Sequence, residues 1–246
     1  MIGIISAMQE EMQTLLDNLQ EKNAFTKGKR IYYQGKLFNT PVVLVFSRWG
    51  KVASATTATQ LINDFDIDEI LFTGVAGSVR NSVNIGDIVI GKNLYQHDMD
   101  ASPLYQKFEV PLLHKSYFET STTLRKRLDQ ASKQFIANYT DHINLEKAVS
   151  FGITKATIHI SDIASGDQFI SENTIATKLI KELPSVSCVE MEGAAVAQVC
   201  YEYEIPFAII RIISDKANNN SHIDFPKFAQ EVASHYALGI LENYFL

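Results

Sequence analysis

Leu183-Pro184-Ser185-Val186-Ser187-Cys188-Val189-Glu190-Met191-Glu192-Gly193-Ala194-Ala195 reads as a turn, a short apolar strand and the first residues of a helix. The helix continues to about Tyr203, with Ala194, Ala195, Val196, Val199 and Cys200 able to share one buried face. A strand running directly into a helix is the repeating unit of an α/β fold, and in open sheets of that class ligands bind beyond the carboxyl ends of strands. Glu190 and Glu192 stand at that junction two residues apart, so an extended backbone aims both carboxylates the same way and Met191 the other. A lone acid here has a plain reading as a helix N-terminal charge favoured by the macrodipole. Two carboxylates flanked by apolar residues are costly to bury, and that favours a binding role.

The same alternation runs outward in both directions. Towards the N-terminus the pattern predicts a strand at Ile2–Ser6, a helix from about Gln9 to Gln20, and a hairpin of Arg30–Leu37 with Val42–Ser47 around Asn39-Thr40-Pro41. A helix at Lys51 to Phe65 and a buried strand at Glu69–Thr73 follow, ending in a small-residue turn at Gly74–Ser78. Strands are expected at Ile85–Ile90, Leu94–Asp98 and Thr157–Ile163, with helices at Thr122–Phe135 and Glu172–Leu183. The chain closes with an apolar strand at Phe207–Ile213 and an amphipathic helix at Phe228–Tyr244. No Gly/Ser- or Pro-rich linker and no repeat interrupts the series. The expected architecture is α/β: a single domain spanning 1–246, a three-layer αβα sandwich with a mixed central sheet.

Bulk properties narrow the function. The 246 residues are 46% hydrophobic and 20% charged, enough for a sizeable core, and the net charge of −6 argues against a broad nucleic-acid footprint. Cys188 and Cys200 lie in apolar runs without metal-type spacing and read as buried thiols of a reducing compartment. No leader-like segment and no apolar run of about 20 residues is seen, so a soluble, cytoplasmic protein with no membrane contact is expected.

Polar residues collect where strands end: Met8-Gln9-Glu10-Glu11, Gly74–Ser78, Ser165-Gly166-Asp167-Gln168-Phe169, Glu190-Met191-Glu192 and Ser214-Asp215. If the strands are parallel, these share one crevice holding carboxylates, an aromatic ring, backbone-exposing residues such as Gly77, and Arg211. There is no Walker loop, dinucleotide fingerprint, nucleophile elbow or zinc pattern, so no cofactor and no metal is expected. A carboxylate-rich pocket suits acid–base work on an electron-poor carbon, as in glycoside cleavage. Each residue has a plainer reading beside this one. Asp215 suits a turn cap, Glu11 a solvated first-turn acid, Phe169 a core aromatic, and Arg211 a partner for a nearby carboxylate. His97 and His222 read as structural or loop residues.

The motifs taken together resemble bacterial 5′-methylthioadenosine/S-adenosylhomocysteine nucleosidases, within the purine nucleoside phosphorylase superfamily. The resemblance is carried by Gly3–Glu11, Gly50-Lys51-Val52, Thr73–Ser78, Gly86-Asp87-Ile88-Val89, His97-Asp98-Met99-Asp100, Ser165–Ile170, Val189–Ala194 and Arg211–Asp215. It implies a phosphorylase/hydrolase-like fold and hydrolysis of the N-glycosidic bond to adenine and a 5-thio-substituted ribose, in methionine salvage and methyl-cycle recycling. By that resemblance Asp215 protonates adenine N7, assisted by Ser214, and Glu11 activates the attacking water, with Arg211 organising the acidic pocket. Glu192 holds the ribose hydroxyls over Met191, with Glu190 in support. Phe169 stacks on adenine while the Ile170 backbone reads its edge. Met8, Phe225 and, from a neighbouring subunit, Ala101 and Leu104 shape the site of the 5′-alkylthio group, so a homodimer is expected. The resemblance leaves 5′-deoxyadenosine and 6-amino-6-deoxyfutalosine open as further substrates.

The chain departs from the family pattern mainly near the 5′ group. Arg48-Trp49-Gly50-Lys51 stands where many members have Gly-Ile-Gly-Lys, so Trp49 is expected to narrow or reshape that site. Ser102-Pro103-Leu104-Tyr105 likewise differs from the usual Thr-Ala-Phe-Gly. Two rivals stand beside the hydrolase. A phosphorylase needs cations and backbone donors for phosphate, and Arg211 is the one obvious cation at a strand end. A nucleoside-binding protein should lack one of Glu11, Glu192 or Asp215, and all three are present.

Overall fold

Strand β1 (Ile2–Ser6) lies between β4 (Thr40–Phe46) and β5 (Glu69–Thr73), parallel to both. Its alternation sets the layers: Ile4 packs into one hydrophobic core and Ile5 into another on the opposite face. On the Ile4 side lie α1 (Gln9–Asp17), α3 (Thr122–Ala137) and the C-terminal α9 (Ser234–Phe245), through residues such as Leu15, Leu128 and Ile240. On the Ile5 side lie α2 (Lys51–Asp64) and α7 (Gly193–Glu202), through Leu61 and Val196. The computed structural model describes residues 1–217 and 225–246.

The remaining strands are β2 (Gln20–Lys27), β3 (Arg30–Leu37), β6 (Val75–Ser78), β7 (Ile88–Gln96), β8 (Phe118–Glu119), β9 (Ile158–Ser165), β10 (Val186–Glu190) and β11 (Phe207–Asp215). Helices α4 (Tyr139–His142), α5 (Leu145–Ser150), α6 (Asn173–Glu182) and α8 (Phe225–Phe228) complete the described elements. Among the described residues the strands form one mixed sheet in the order β2-β3-β4-β1-β5-β11-β6-β10-β9-β7-β8. Because β7 also pairs with β11, the run β11-β6-β10-β9-β7 closes on itself as a ring and has no free edge between those strands.

This topology corrects one premise. The strands that feed the site are not all parallel: β1, β5, β6 and β11 run one way, while β7, β9 and β10 run the other. Their ends still meet because β6 pairs on both sides, with Gly77 opposite Val189 of β10 and also opposite Asp215 of β11. The segment expected as a turn at Gly74–Ser78 is therefore mostly strand, and it is the strand that joins the two halves.

Other boundaries shift for local reasons. The first helix stops at Asp17, and β2, exposed along its whole length, has no buried alternation to mark it. The hairpin turns one residue earlier than expected, at Phe38 and Asn39, both with positive φ as a two-residue hairpin turn requires. Ile85–Ile90 and Leu94–Asp98 merge into the single strand β7. The closing helix begins at Phe225 and contains a π-helical segment at Ala229–Ala233.

Candidate active site

Glu11 sits in the first turn of α1 and is buried. Its Oε2 accepts N–H bonds from Ala7 and Met8, and its Oε1 accepts one from Val75, each at 2.9 Å. The backbone leaving β1 thus turns its free donors onto the carboxylate, as an N-terminal acid of a helix allows. Gly74 makes the approach of β6 possible, since a Cβ there would lie 3.0 Å from Glu11 Oε1 and 3.2 Å from Arg211 Nη1. Burial raises the Glu11 pKa above its usual value, against the opposing pull of Arg211 and the three N–H groups.

At the end of β10, Glu190 is saturated by internal partners. Its Oε2 accepts from Arg211 Nη2 at 2.7 Å, both oxygens take the N–H of Gly193, and Ser165 Oγ donates to Oε1. Ser165 Oγ in turn accepts from Ala194 N–H at 2.7 Å, so the pair caps α7 and anchors β9 to it. Glu190 therefore forms part of the cavity wall while its oxygens brace neighbouring residues. Arg211 is the cation of this cluster. It is 1% exposed, stacked 4.1 Å over the Phe72 ring, and absent from the cavity wall because its charge is committed to Glu190.

Glu192 presents its carboxylate differently. Its Oε1 accepts from Gly50 N–H at 2.8 Å, a contact reached across the loop before α2. Desolvation, then the charge of Glu190, pushes its pKa up to about 8; Glu11 adds to the rise, while Gly50 N–H and Arg211 oppose it. Asp215 closes β11 with Oδ1 accepting from Ala217 N–H at 2.7 Å and Oδ2 from the Ser214 hydroxyl at 2.8 Å. Ser214 thus donates to Asp215 and is not in the cavity wall.

One cavity unites these groups. It is lined by Met8, Glu11, Trp49, Gly77, Phe169, Ile170, Glu190, Met191, Glu192 and Asp215, with Ala7, Val75, Ala76, Gln168 and Val189 between them. No lysine or arginine is among the described lining residues. Phe169 is 46% exposed and Trp49 58%, so neither is a core aromatic. Ala101 and Leu104 do not reach the cavity of their own chain, and Leu104 is 85% exposed. Phe225 opens α8, but its side chain lies outside the described residues, as does His222. His97 is half-buried, its ring against Gly166. Cys188 and Cys200 are free and buried.

The roles of Ser165, of the Ala7 and Val75 backbone and of the Gly50 N–H were not evident beforehand. Each acts through a hydrogen bond across the fold, and only the motif stretches containing them gave any sign. Among the described residues no group of three His, Cys, Asp or Glu is placed to hold a metal ion, and no helix is long and apolar enough to cross a membrane.

The phosphorylase superfamily model matches residues 1–245 of the chain. A 5′-methylthioadenosine/S-adenosylhomocysteine nucleosidase of Staphylococcus aureus is 33% identical over 95% of this chain and 94% of its own length. The nucleosidase of Neisseria meningitidis, solved with methylthio-immucillin-A, superposes with a TM-score of 0.87 at 28% identity, covering 99% of this chain and 97% of that one. The futalosine hydrolase of Helicobacter pylori gives 0.83 at 29% identity, covering 99% and 96%. With matches of this extent and a cavity built as described, the chain belongs to the 5′-methylthioadenosine/S-adenosylhomocysteine nucleosidase family of the phosphorylase superfamily.

Proposed function

We propose that this protein hydrolyses the N-glycosidic bond of 5′-methylthioadenosine and S-adenosylhomocysteine, releasing adenine and the 5-thio-substituted ribose. The observation that carries the reading is a cavity lined by Glu11, Glu192 and Asp215 and, among its described residues, by no cation. Bond cleavage develops positive charge on the ribosyl carbon and negative charge on the purine, so fixed carboxylates belong beside the sugar and a proton donor beside the base. Asp215, held by Ser214 and Ala217, is the proposed donor to adenine N7. Glu11, fixed by three backbone N–H bonds, is the proposed base for water, its raised basicity suited to that task. Glu192 grips the ribose hydroxyls above Met191, Phe169 stacks on adenine, and the Ile170 backbone reads the edge of the base.

A phosphate nucleophile is disfavoured here, because Arg211 is spent on Glu190 and a second anion would face a wall of carboxylates. The test is adenine release from methylthioadenosine in phosphate-free buffer. Turnover to the free reducing sugar is expected, and formation of a sugar 1-phosphate only when phosphate is added would overturn the reading. The same assay extends to 5′-deoxyadenosine and 6-amino-6-deoxyfutalosine. We read residues 1–246 as one nucleosidase domain that works in the cytoplasm in methionine salvage. It does so as a homodimer in which Ala101 and Leu104 complete the partner's cavity.

A further inference from the structure

Behind the cavity wall, a ring of polar groups ties together the loops that carry the site. Lys51 places Nζ 2.6 Å from Asp98 Oδ1 and 3.3 Å from Gln96 Oε1. Asp98 Oδ2 accepts the N–H of Asp167 at 2.9 Å, and Asp167 Oδ1 accepts the N–H of Lys51 at 2.7 Å, which closes the ring. Gln96 extends it to Gln198 of α7 at 2.7 Å. The Lys51 and Asp98 side chains are only 17% and 22% exposed, so the pair is better shielded than an ordinary surface ion pair. Lys51 and the Asp167 N–H hold the Asp98 carboxyl below its usual range even though burial opposes them.

Every member adjoins a part of the site. Lys51 follows Gly50, whose N–H is bonded to Glu192. Gly50 has φ +93°, and a Cβ there would lie 2.9 Å from Asp167 Oδ1, so the two loops touch where only glycine fits. Asp167 opens the loop that brings Gln168, Phe169 and Ile170 to the cavity. Gln198 lies on the helix that starts beside Glu192.

We propose that Lys51, Asp98 and Asp167 are positioning residues that lock the Trp49–Gly50 loop to the Gln168–Ile170 loop, fixing the distance between the sugar-holding Glu192 and the base-facing Phe169. The proposal rests on the nucleosidase reading above. Removing the Lys51 ammonium leaves the Asp98 carboxylate without its cation, so Asp98 no longer holds the Asp167 N–H against the Lys51 loop. The loops then part and Gly50 N–H withdraws from Glu192. The groups facing Glu192 are Glu190 and Glu11, which disfavour its ionisation, and Arg211 and Gly50 N–H, which favour it. Loss of the Gly50 bond therefore moves ionisation of Glu192 to higher pH. His97, next to Asp98, has its pKa lowered by burial.

The experiment compares Lys51→Gln, Asp98→Asn and the conservative Lys51→Arg with wild type. It measures kcat and KM for methylthioadenosine across pH, and adenine binding by quenching of Trp49, the single tryptophan of the chain. The first two variants should lose on the order of ten- to a hundredfold in kcat/KM, mostly through KM, as misplacement of binding groups does. Their ascending pH limb should move to higher pH, adenine should bind more weakly, and Lys51→Arg should recover most of the loss. Folded variants with wild-type KM, pH limb and adenine affinity would overturn the proposal, as would a loss that follows the folded fraction alone. Wild type that fails to cleave methylthioadenosine refutes the nucleosidase reading instead, and adenine binding by the variants then still decides the positioning role.

Discussion

Asp215 and Trp49 are the residues at which single substitutions discriminate most. Both oxygens of Asp215 are held, one by Ala217 N–H and one by the Ser214 hydroxyl, so an asparagine retains the shape and one acceptor but has no acidic proton to transfer. Asp215→Asn should lower kcat by about a hundredfold or more while adenine binding survives in part. Steady-state kinetics showing more than about a tenth of wild-type kcat would remove Asp215 from the acid role, given that typical loss. Trp49 lines the cavity at the position where, by the sequence resemblance, many members carry isoleucine, and an indole offers far more contact area. It should favour the compact methylthio group, so Trp49→Ile should shift kcat/KM towards S-adenosylhomocysteine. An unchanged ratio between the two substrates would show that the indole does not discriminate.

At the scale of elements, the junction of β10 and α7 depends on a buried charge pair with nothing to spare. Glu190 neutralises Arg211, caps α7 at Gly193 and receives Ser165, all in a site with almost no solvent. Glu190→Gln keeps the shape but strands the Arg211 cation, and loss of one partner of such a pair typically costs about 3–5 kcal/mol. Denaturant unfolding should show a loss of that order, and a change below about 1 kcal/mol would mean the pair is screened like a surface one. This junction was legible in the sequence because two acids between an apolar strand and a small-residue helix have few alternatives. Its division of labour was not: Glu190 and Glu192 look equivalent as text, and only the position of Arg211, on β11 with β6 between it and β10 in the sheet, separates brace from ligand contact. β2 and β6 escaped for opposite reasons. β2 is exposed throughout and shows no alternation, while β6 is so rich in small residues that it reads as a turn. Missing β6 concealed the ring closure, and with it the reason antiparallel strands deliver their ends to one cavity.

For the whole molecule, two properties follow from surface and charge. Leu104 stands exposed and outside its own chain's cavity, as a residue that completes a partner's site would, and light scattering should give a dimer. A fully active monomer would contradict the shared cavity. The second property concerns the cost of gathering Glu11, Glu190, Glu192 and Asp215 around a single buried cation. Glu192 keeps its proton up to about pH 8 in the folded chain, whereas the unfolded chain releases it near the ordinary value of 4.5. Between those limits the native state binds more protons than the unfolded state, so stability falls as pH rises through the window and levels off above it. Glu11, raised in the same direction, steepens the fall. Glu192→Gln has no proton to lose and should escape this part of the slope. At about 1.4 kcal/mol per pKa unit the difference between variant and wild type reaches at most roughly 5 kcal/mol. Urea unfolding at about pH 5 and about pH 9 checks it, since linkage requires the variant to gain on wild type only at the higher value. The same substitution should impair both kcat and KM, because the neutral amide no longer offsets the ribosyl cation or accepts from both hydroxyls. A variant less stable than wild type at the higher pH would mean that the ionised carboxylate is already compensated in the empty site. One more stable yet slower would place the acidic cavity among sites that hold unfavourable charge in reserve for the transition state.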